Sequence, residues 1–328
     1  MKKCLTLLTI TILVTIALSQ TTKATSLSLT VTTNKPTYTV GEFPQILGNL
    51  TLNNEPVQDG IVALQVNNSK NELYLVRTLT TGTIPQNHWT LELTQFITCD
   101  SAGNPETTFP RGGAMGFKIT IKNNAATTYD YMVVISLLYG NTIPYKTFIA
   151  TTGTLDGQKT RTITLWPITI PNDSPIGNAT AYASLLNALP TDNGLPYCPE
   201  KEAVFQITAA SGNPAPLITP TVQNGTFNVT TYIASGKAWK GNYTIYAITK
   251  YQYYIATAQK TYEVKLIGDF NQDNIIDISD LSAVAIRFGK SEGDPGYDPI
   301  YDLDHDGAIL ISDISMVARG FGASLLDP

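Results

Sequence analysis

The chain has 328 residues, 43% hydrophobic and 14% charged, with a formal net charge of −5. That length exceeds one ordinary domain and suffices for two or three with separate cores. Low charge with abundant Thr, Val, Ile and Tyr argues against disorder, a coiled coil and a nucleic-acid binder, which would need a basic surplus, and two histidines, His88 and His305, leave little for a zinc site or a Ser-His-Asp hydrolase.

Lys2 and Lys3 precede an apolar run from Leu5 to Leu18, and Ala17 and Ser19 put small residues ahead of a cut before Gln20. The pattern predicts a secretory signal peptide over residues 1–19. The competing reading, a retained anchor, would need about 20 apolar residues, more than this run supplies. The mature chain is therefore expected to be secreted, extracellular or on the cell surface, with no membrane span after cleavage. Seven Asn-x-Ser/Thr sequons, at Asn49, Asn67, Asn172, Asn178, Asn224, Asn228 and Asn242, fit an exported surface.

Short alternating runs bounded by Gly, Pro and Asn then predict strands at Leu27–Thr33, Gln45–Leu52, 60–66 and Leu73–Thr80, and later at 226–233, 243–249 and 256–266. Seven strands are the count of an immunoglobulin-like sandwich. Lys35, Pro36, Tyr38 and Gly41, followed by Ile46 and Gly48, resemble the opening of macroglobulin-type and related surface Ig-like domains. The segment Gly241, Asn242, Tyr243 to Ala247 resembles their late strand pair. Between the halves lies a second set of expected strands, at 89–97, 116–122, 131–138, 147–152, 160–164, 179–186 and 203–208. The expected organisation is an outer Ig-like β-sandwich from 26–86 and 222–266, an inserted Ig-like β-sandwich at 87–210, and a Pro-rich linker at 211–221. The competing arrangement is domains in series; nesting is preferred because neither outer half could close a core alone.

Cleavage removes Cys4 and leaves Cys99 and Cys198, an even pair in an oxidising compartment, so a Cys99–Cys198 disulfide is expected around the inserted unit. Such a loop would contribute about 4 to 5 kcal/mol in the chain-entropy treatment. The alternative is two buried free thiols. No Gly-x-Ser-x-Gly elbow, His-Glu-x-x-His helix or phosphate loop occurs, so no catalytic residue is assigned and the chain reads as no enzyme. Glu92, Glu106, Glu200 and Glu202 could meet as paired carboxylates. Trp89, Trp166 and Trp239 could form a sugar-stacking platform, against the plainer role of core aromatics.

From residue 267 to 328 there are 12 Asp/Glu against 3 Lys/Arg, and within this acid lies a repeat offset by 33 residues. Asp269, Asn271, Asp273, Asp277 and Asp280 stand at positions 1, 3, 5, 9 and 12 of one twelve-residue loop. Asp302, Asp304, Asp306, Leu310 and Asp313 stand at the same positions of the other. Calcium takes six to eight hard oxygen ligands, and a loop alternating ligand with non-ligand wraps them around one ion, adding the backbone carbonyl of position 7, Ile275 or Ala308. Position 6 needs positive φ, which Gly307 adopts freely and Asn274 tolerates. Ile276 and Ile309 at position 8 are expected to point into a small core. The expected cofactor is Ca²⁺ at two sites, the second weaker because Leu310 supplies no oxygen.

After each loop an apolar face follows at helical spacing, Leu281, Val284, Ala285 and Phe288, then Ile314, Val317, Ala318 and Phe321, with Gly289 and Gly322 as stops. This tail, 267–328, resembles a type I dockerin module, a duplicated calcium-loop-plus-helix unit that docks onto cohesin domains in multi-enzyme cellulosomes and on some archaeal cell surfaces. The resemblance implies a partner surface at loop positions 10 and 11, here Ile278 and Ser279 with Ile311 and Ser312. It also implies two docking orientations.

The fold class expected is thus mainly β, two Ig-like β-sandwiches, the second inserted in the first, plus a small α-helical dockerin-like calcium-binding module. The function expected is a secreted, non-catalytic modular protein attached by calcium-dependent protein-protein interaction to a cohesin-type or other surface protein. The alternative is a carbohydrate-binding or hydrolytic accessory component of a cellulosome-like assembly, with polysaccharide as its ligand.

Overall fold

Where aliphatic residues alternate with Thr, Ser and Asn, a strand can bury one face and wet the other. The computed structural model, which describes residues 25–83, 89–140, 142–172, 174–209 and 224–328, is built mainly of such strands. The expected signal peptide at 1–19 with Cys4, the linker at 211–221 and His88 lie outside the described residues.

Six strands come first: β1 (Leu27–Thr33), β2 (Thr37–Tyr38), β3 (Gln45–Leu52), β4 (Glu55–Pro56), β5 (Ile61–Asn67) and β6 (Leu73–Thr80). Eight follow: β7 (Leu91–Cys99), β8 (Thr108–Pro110), β9 (Ala114–Asn123), β10 (Tyr129–Tyr139), β11 (Ile143–Leu155), β12 (Thr160–Thr169), β13 (Gly177–Leu186) and β14 (Lys201–Thr208). The chain returns through β15 (Thr226–Thr230), β16 (Gly241–Tyr251) and β17 (Tyr254–Val264), then forms helices α1 (Ile278–Ala285) and α2 (Ile311–Arg319).

Strands from both ends of the β region share sheets. β15 pairs antiparallel with β3 in a β1-β3-β15 sheet that β4 joins through β3, and β16 pairs with β5 in a β2-β17-β16-β5-β6 sheet. These two sheets share one hydrophobic cluster containing Leu29, Ile46, Phe227, Leu64, Tyr243 and Tyr262. Close packing decides Gly48 there: a Cβ would stand 1.8 Å from the Phe227 ring, so only glycine lets the ring cross β3. The intervening strands form two sheets of their own, β12-β9-β7 and β11-β10-β13-β14-β8, around a second cluster that includes Phe117, Ile119, Val133, Ile135 and Phe205.

The two sets of sheets are locked together along β6. β10 is buried continuously from Val133 to Tyr139 because both of its faces are covered. One side faces the second cluster. The other packs Val134 with Val76 of β6, Ala63, Leu186 and Ile248. Backbone groups along β6 find side-chain partners: Val76 N–H donates to Ser136 Oγ at 2.9 Å, Ser136 O–H donates to Val76 carbonyl at 2.8 Å, and Thr147 O–H donates to Tyr74 carbonyl at 3.0 Å. Arg77 of β6 forks onto Glu200, with Nε 2.9 Å from both carboxylate oxygens, and lies over the Tyr182 ring. An exposed sheet edge is thereby covered.

The expected Cys99–Cys198 disulfide is not formed; both thiols are free and buried. Cys198 Sγ accepts the Leu93 N–H at 3.5 Å, whereas Cys99 pairs with Gly116 at the far end of β7. Six residues of strand separate those points, roughly 20 Å, against the 4–7 Å between Cα atoms that a disulfide spans. Burial pushes the Cys198 thiol up to about 12 and raises that of Cys99 as well, so both are poor nucleophiles.

The tryptophans do not assemble a platform. Trp89 packs beside the inner cluster just before β7, Trp166 lies over Gly116 on β12, and Trp239 bridges to Leu326 under Lys70. Glu200 is spent in the Arg77 pair. Among the described residues no helix is long and apolar enough to cross a membrane.

Candidate metal centre

Each twelve-residue loop is organised by carboxylates that collect its own backbone N–H groups. In the first loop Asp280, fully buried, accepts Phe270 N–H at 2.7 Å and Asn271 N–H at 3.4 Å on Oδ1, and Asp277 N–H at 3.0 Å on Oδ2. In the second loop Asp313, also fully buried, accepts Leu303 N–H at 2.7 Å, Asp304 N–H at 3.4 Å and Leu310 N–H at 2.7 Å. The N–H of position 5 is shared between the oxygens of positions 1 and 3. Asp273 N–H reaches Asp269 at 3.2 Å and Asn271 at 3.1 Å, and Asp306 N–H reaches Asp302 and Asp304, both at 3.2 Å. Positions 6 and 7 donate to the carboxylates of positions 1 and 5 in both copies.

The backbone bends that permit this are also duplicated. Asn274 and Gly307 at position 6 have φ of 68° and 90°, and Gln272 and His305 at position 4 have φ of 61° and 58°. The position 4 bends were not anticipated: Gln carries no left-handed signal, and the enrichment of His at positive φ is not enough to mark one position in a loop. Ile276 and Ile309 are buried, at 1% and 0% exposure, as position 8 requires.

Asp302, Asp304 and Asp306 each offer an oxygen, all within 4.8 Å of one another. Calcium–oxygen distances of about 2.4 Å let two ligands of one ion stand up to about 5 Å apart, so this spacing is admissible. The donor set is all oxygen, which suits a hard cation and not zinc or copper. In the first loop an amide, Asn271, holds the third position, and its Nδ2 donates to Asp273 at 2.8 Å. Each carboxylate oxygen that takes one N–H keeps a second lone pair. Asn274 Oδ1 is buried without a hydrogen-bond partner, an acceptor the loop leaves unmatched. The residues present fit a calcium-sized ion; those that would hold it are Asp269, Asn271, Asp273, the Ile275 carbonyl, Asp277 and Asp280, and in the second copy Asp302, Asp304, Asp306, the Ala308 carbonyl and Asp313.

Electrostatics differ between copies. Burial pushes the Asp269 carboxyl above its ordinary value, an effect the Asn274 N–H and the Lys240 ammonium oppose. The Tyr297 hydroxyl donates to Asp302 at 2.7 Å and holds that carboxyl below its ordinary value, while Tyr297 itself is pushed up to about 12. Asp277 is lowered by the Ser279 side chain and N–H, which it caps at the start of α1. Leu310 at the matching position has no acceptor to offer and is 39% exposed.

The helices are shorter than the spacing predicts. α1 stops at Ala285, where Arg287 and Phe288 N–H turn to carbonyls three residues back, and α2 stops at Arg319. Val284 and Val317 are buried between the helices, but Ala285 and Ala318 are exposed, as are Phe288 at 52% and Phe321 at 56%. The chain tightens before the glycines, so the last apolar residue of each repeat leaves the shared face. Of the expected partner-facing residues, Ile278 is 64% and Ile311 67% exposed, Ser279 is exposed and Ser312 is half-buried.

No family model and no curated protein matches the chain. Among solved structures, it is similar over 38% of its length to the alkylpurine DNA glycosylase AlkC of Pseudomonas fluorescens, at 11% identity and a TM-score of 0.29. It spans 32% of that protein. The C-terminal domain of wzt matches 37% of this chain and 75% of its own, at 7% identity and a TM-score of 0.31. A type II cohesin–X–dockerin complex from Acetivibrio cellulolyticus matches 30% of this chain and 70% of its own, at 23% identity and a TM-score of 0.17. At these scores none assigns a function.

Proposed function

We propose that the chain is a secreted, non-catalytic surface protein in which two Ig-like β-sandwiches are attached, through a calcium-dependent dockerin-like module, to a cohesin-type partner. The observation that carries this reading is the duplicated lattice: buried carboxylates at position 12 of both loops receive the N–H groups of positions 2, 3 and 9, and position 5 shares its N–H between positions 1 and 3. A merely solvated acidic surface has no reason to repeat that wiring residue for residue.

When bound, calcium neutralises carboxylates that otherwise repel one another. The chain's own residues do the rest. Asp280 and Asp313 close each loop onto the first turn of its helix, and Ile276 and Ile309 anchor each loop in the core. Ile278 and Ile311 are left outward as apolar contacts for a partner, with Ser279 and Ser312 beside them. The first site is read as the tighter, since Asp277 supplies an oxygen where Leu310 cannot.

Isothermal calorimetry of the full-length chain with Ca²⁺, followed by binding to purified type I cohesin domains in Ca²⁺ or in chelator, tests the reading. Heat of calcium uptake and calcium-dependent cohesin binding are expected. Absence of any calcium heat overturns the attachment mechanism.

A further inference from the structure

One surface of the outer β unit is unusual in what it lacks. β1, β3 and β15 contain no charged residue in any position, and Glu55 of β4 is the one charge in that sheet. Their exposed positions alternate strictly with buried ones, so the outward face is hydroxyls and amides, such as Ser28, Thr30, Thr32 and Gln45, around the apolar Leu47. Proteins usually guard such a face and its edge strands with Lys, Glu or Pro, because an uncharged extended sheet invites pairing with other chains. Nothing in these three strands does so.

Two sequons lie on that same face. A strand places residues i and i+2 on one side, so Asn49 with Thr51, and Asn228 with Thr230, each present acceptor amide and hydroxyl together. Asn49 and Asn228 are both exposed, and they stand diagonally on neighbouring strands, since Asn49 pairs with Thr226 and Asn228 with Leu47. Among the described residues no hydrogen bond holds either side-chain amide. Asn67 provides the contrast within the same unit. It is 4% exposed, its Nδ2 donates to Asn71 at 2.8 Å, and its Oδ1 accepts from Gln65 at 2.7 Å.

We infer that the outer face of the β1-β3-β15 sheet is a glycan-bearing face, N-glycosylated at Asn49, Asn228 or both, with Asn67 excluded by burial. The inference rests on the reading of the chain as exported. Chemically, the Asn amide nitrogen attacks the anomeric carbon of an oligosaccharide activated on a lipid-linked phosphate. The new C–N bond replaces the C–O bond to phosphate, which leaves with the electron pair, and the amide releases one proton to a base. The bulky hydrophilic product then shields the sheet and its edges, the role that charge has elsewhere.

The test is glycopeptide mass spectrometry and N-terminal sequencing of the full chain purified from the cell that makes it, beside the variants Thr51→Ala and Thr230→Ala. These remove each acceptor motif and leave both Asn residues and the sheet pattern in place. A glycan mass on Asn49 or Asn228 that disappears only with its own Thr variant, and an unmodified Asn67, is expected. A chain beginning at Gln20 with both sequons bare overturns the inference while leaving export intact. Any glycan on Asn67 in folded protein also overturns it. An unprocessed chain held inside the cell overturns the export reading, and this inference with it.

Discussion

The two acidic loops are wired alike inside and supported differently outside. Within each loop six classes of backbone-to-carboxylate hydrogen bond repeat with matching partners, and each loop is braced by the segment that follows the other loop's helix. Ile309 exchanges hydrogen bonds with Gly289 and Lys290, and Ile276 with Gly322 and Ala323. The pattern runs on to Glu292 and Leu325, whose N–H groups donate to the carbonyls of Gly307 and Asn274 at 2.8 and 3.1 Å; what differs is where the two segments lead. Ser324 to Leu326 continue onto the outer β unit, where Gly236 N–H donates to Ser324 carbonyl at 2.9 Å, Lys240 N–H to Leu326 carbonyl at 2.9 Å and Leu326 N–H to Ala238 carbonyl at 2.8 Å. The first loop is thus tied through this strap to a large β structure; the second leans on Tyr297. Matching backbone wiring can acquire different stability from its surroundings, because preorganisation lowers the ordering that binding must otherwise supply.

The largest effect is expected where the copies are most alike. Asp280→Ala and Asp313→Ala each leave three N–H donors without their carboxylate in a buried setting, a loss of about 3 kcal/mol or more. Denaturant unfolding should find the two variants equally damaged; a clear inequality would break the equivalence of the loops.

Next, deleting residues 323–328 removes the strap. Calcium affinity of the first loop should fall about tenfold or more, roughly 1.4 kcal/mol, with a smaller change at the second. Two-site calorimetry reads both, and equal losses would mean that the strap does not distinguish the loops. Smaller again is the ligand comparison: Asp269→Ala with Asp273→Ala should weaken calcium uptake more than Asp302→Ala with Asp306→Ala, and the opposite order would make Leu310 harmless.

The smallest effect is a pH shift confined to the second loop. Asp302 is depressed below its ordinary 3.8 by the Tyr297 hydroxyl, so the stability it contributes is present above that value and is lost as pH falls through the depressed one. Tyr297, raised from 10.0 to about 12, contributes stability below 10 that is lost as pH rises through 12. Tyr297→Phe should therefore lower the melting temperature above the ordinary carboxyl value and flatten the acid limb, the two profiles converging as pH falls below the depressed value. Superimposable acid limbs would show that this hydrogen bond has no energetic role.

Strand positions were legible wherever one face is buried and the other wet, as at Leu27–Thr33, Gln45–Leu52 and Leu73–Thr80, whose ends match the reading. β11 runs from Ile143 to Leu155, well beyond the expected 147–152, because long pairing with β10 carries it past its own alternation. The two-residue strands β2 and β4 and the three-residue β8 escaped because their pairing is decided by a partner, not by a local pattern. The loops were read from spacing alone, down to the buried Ile276 and Ile309, but the strap, Tyr297 and Lys240 were invisible there.

What the chain's order of residues determined is local: period-two strands, a twelve-residue acidic pattern stated twice, and the left-handed bends at Asn274 and Gly307. Those depend on neighbours a few positions apart. Tertiary structure alone decided that Cys99 and Cys198 stand a strand's length apart, that Asn67 is sealed while Asn49 and Asn228 face water, and that one loop is strapped to the β unit. Each of these is a distance between residues remote along the chain, and no local pattern encodes such a distance.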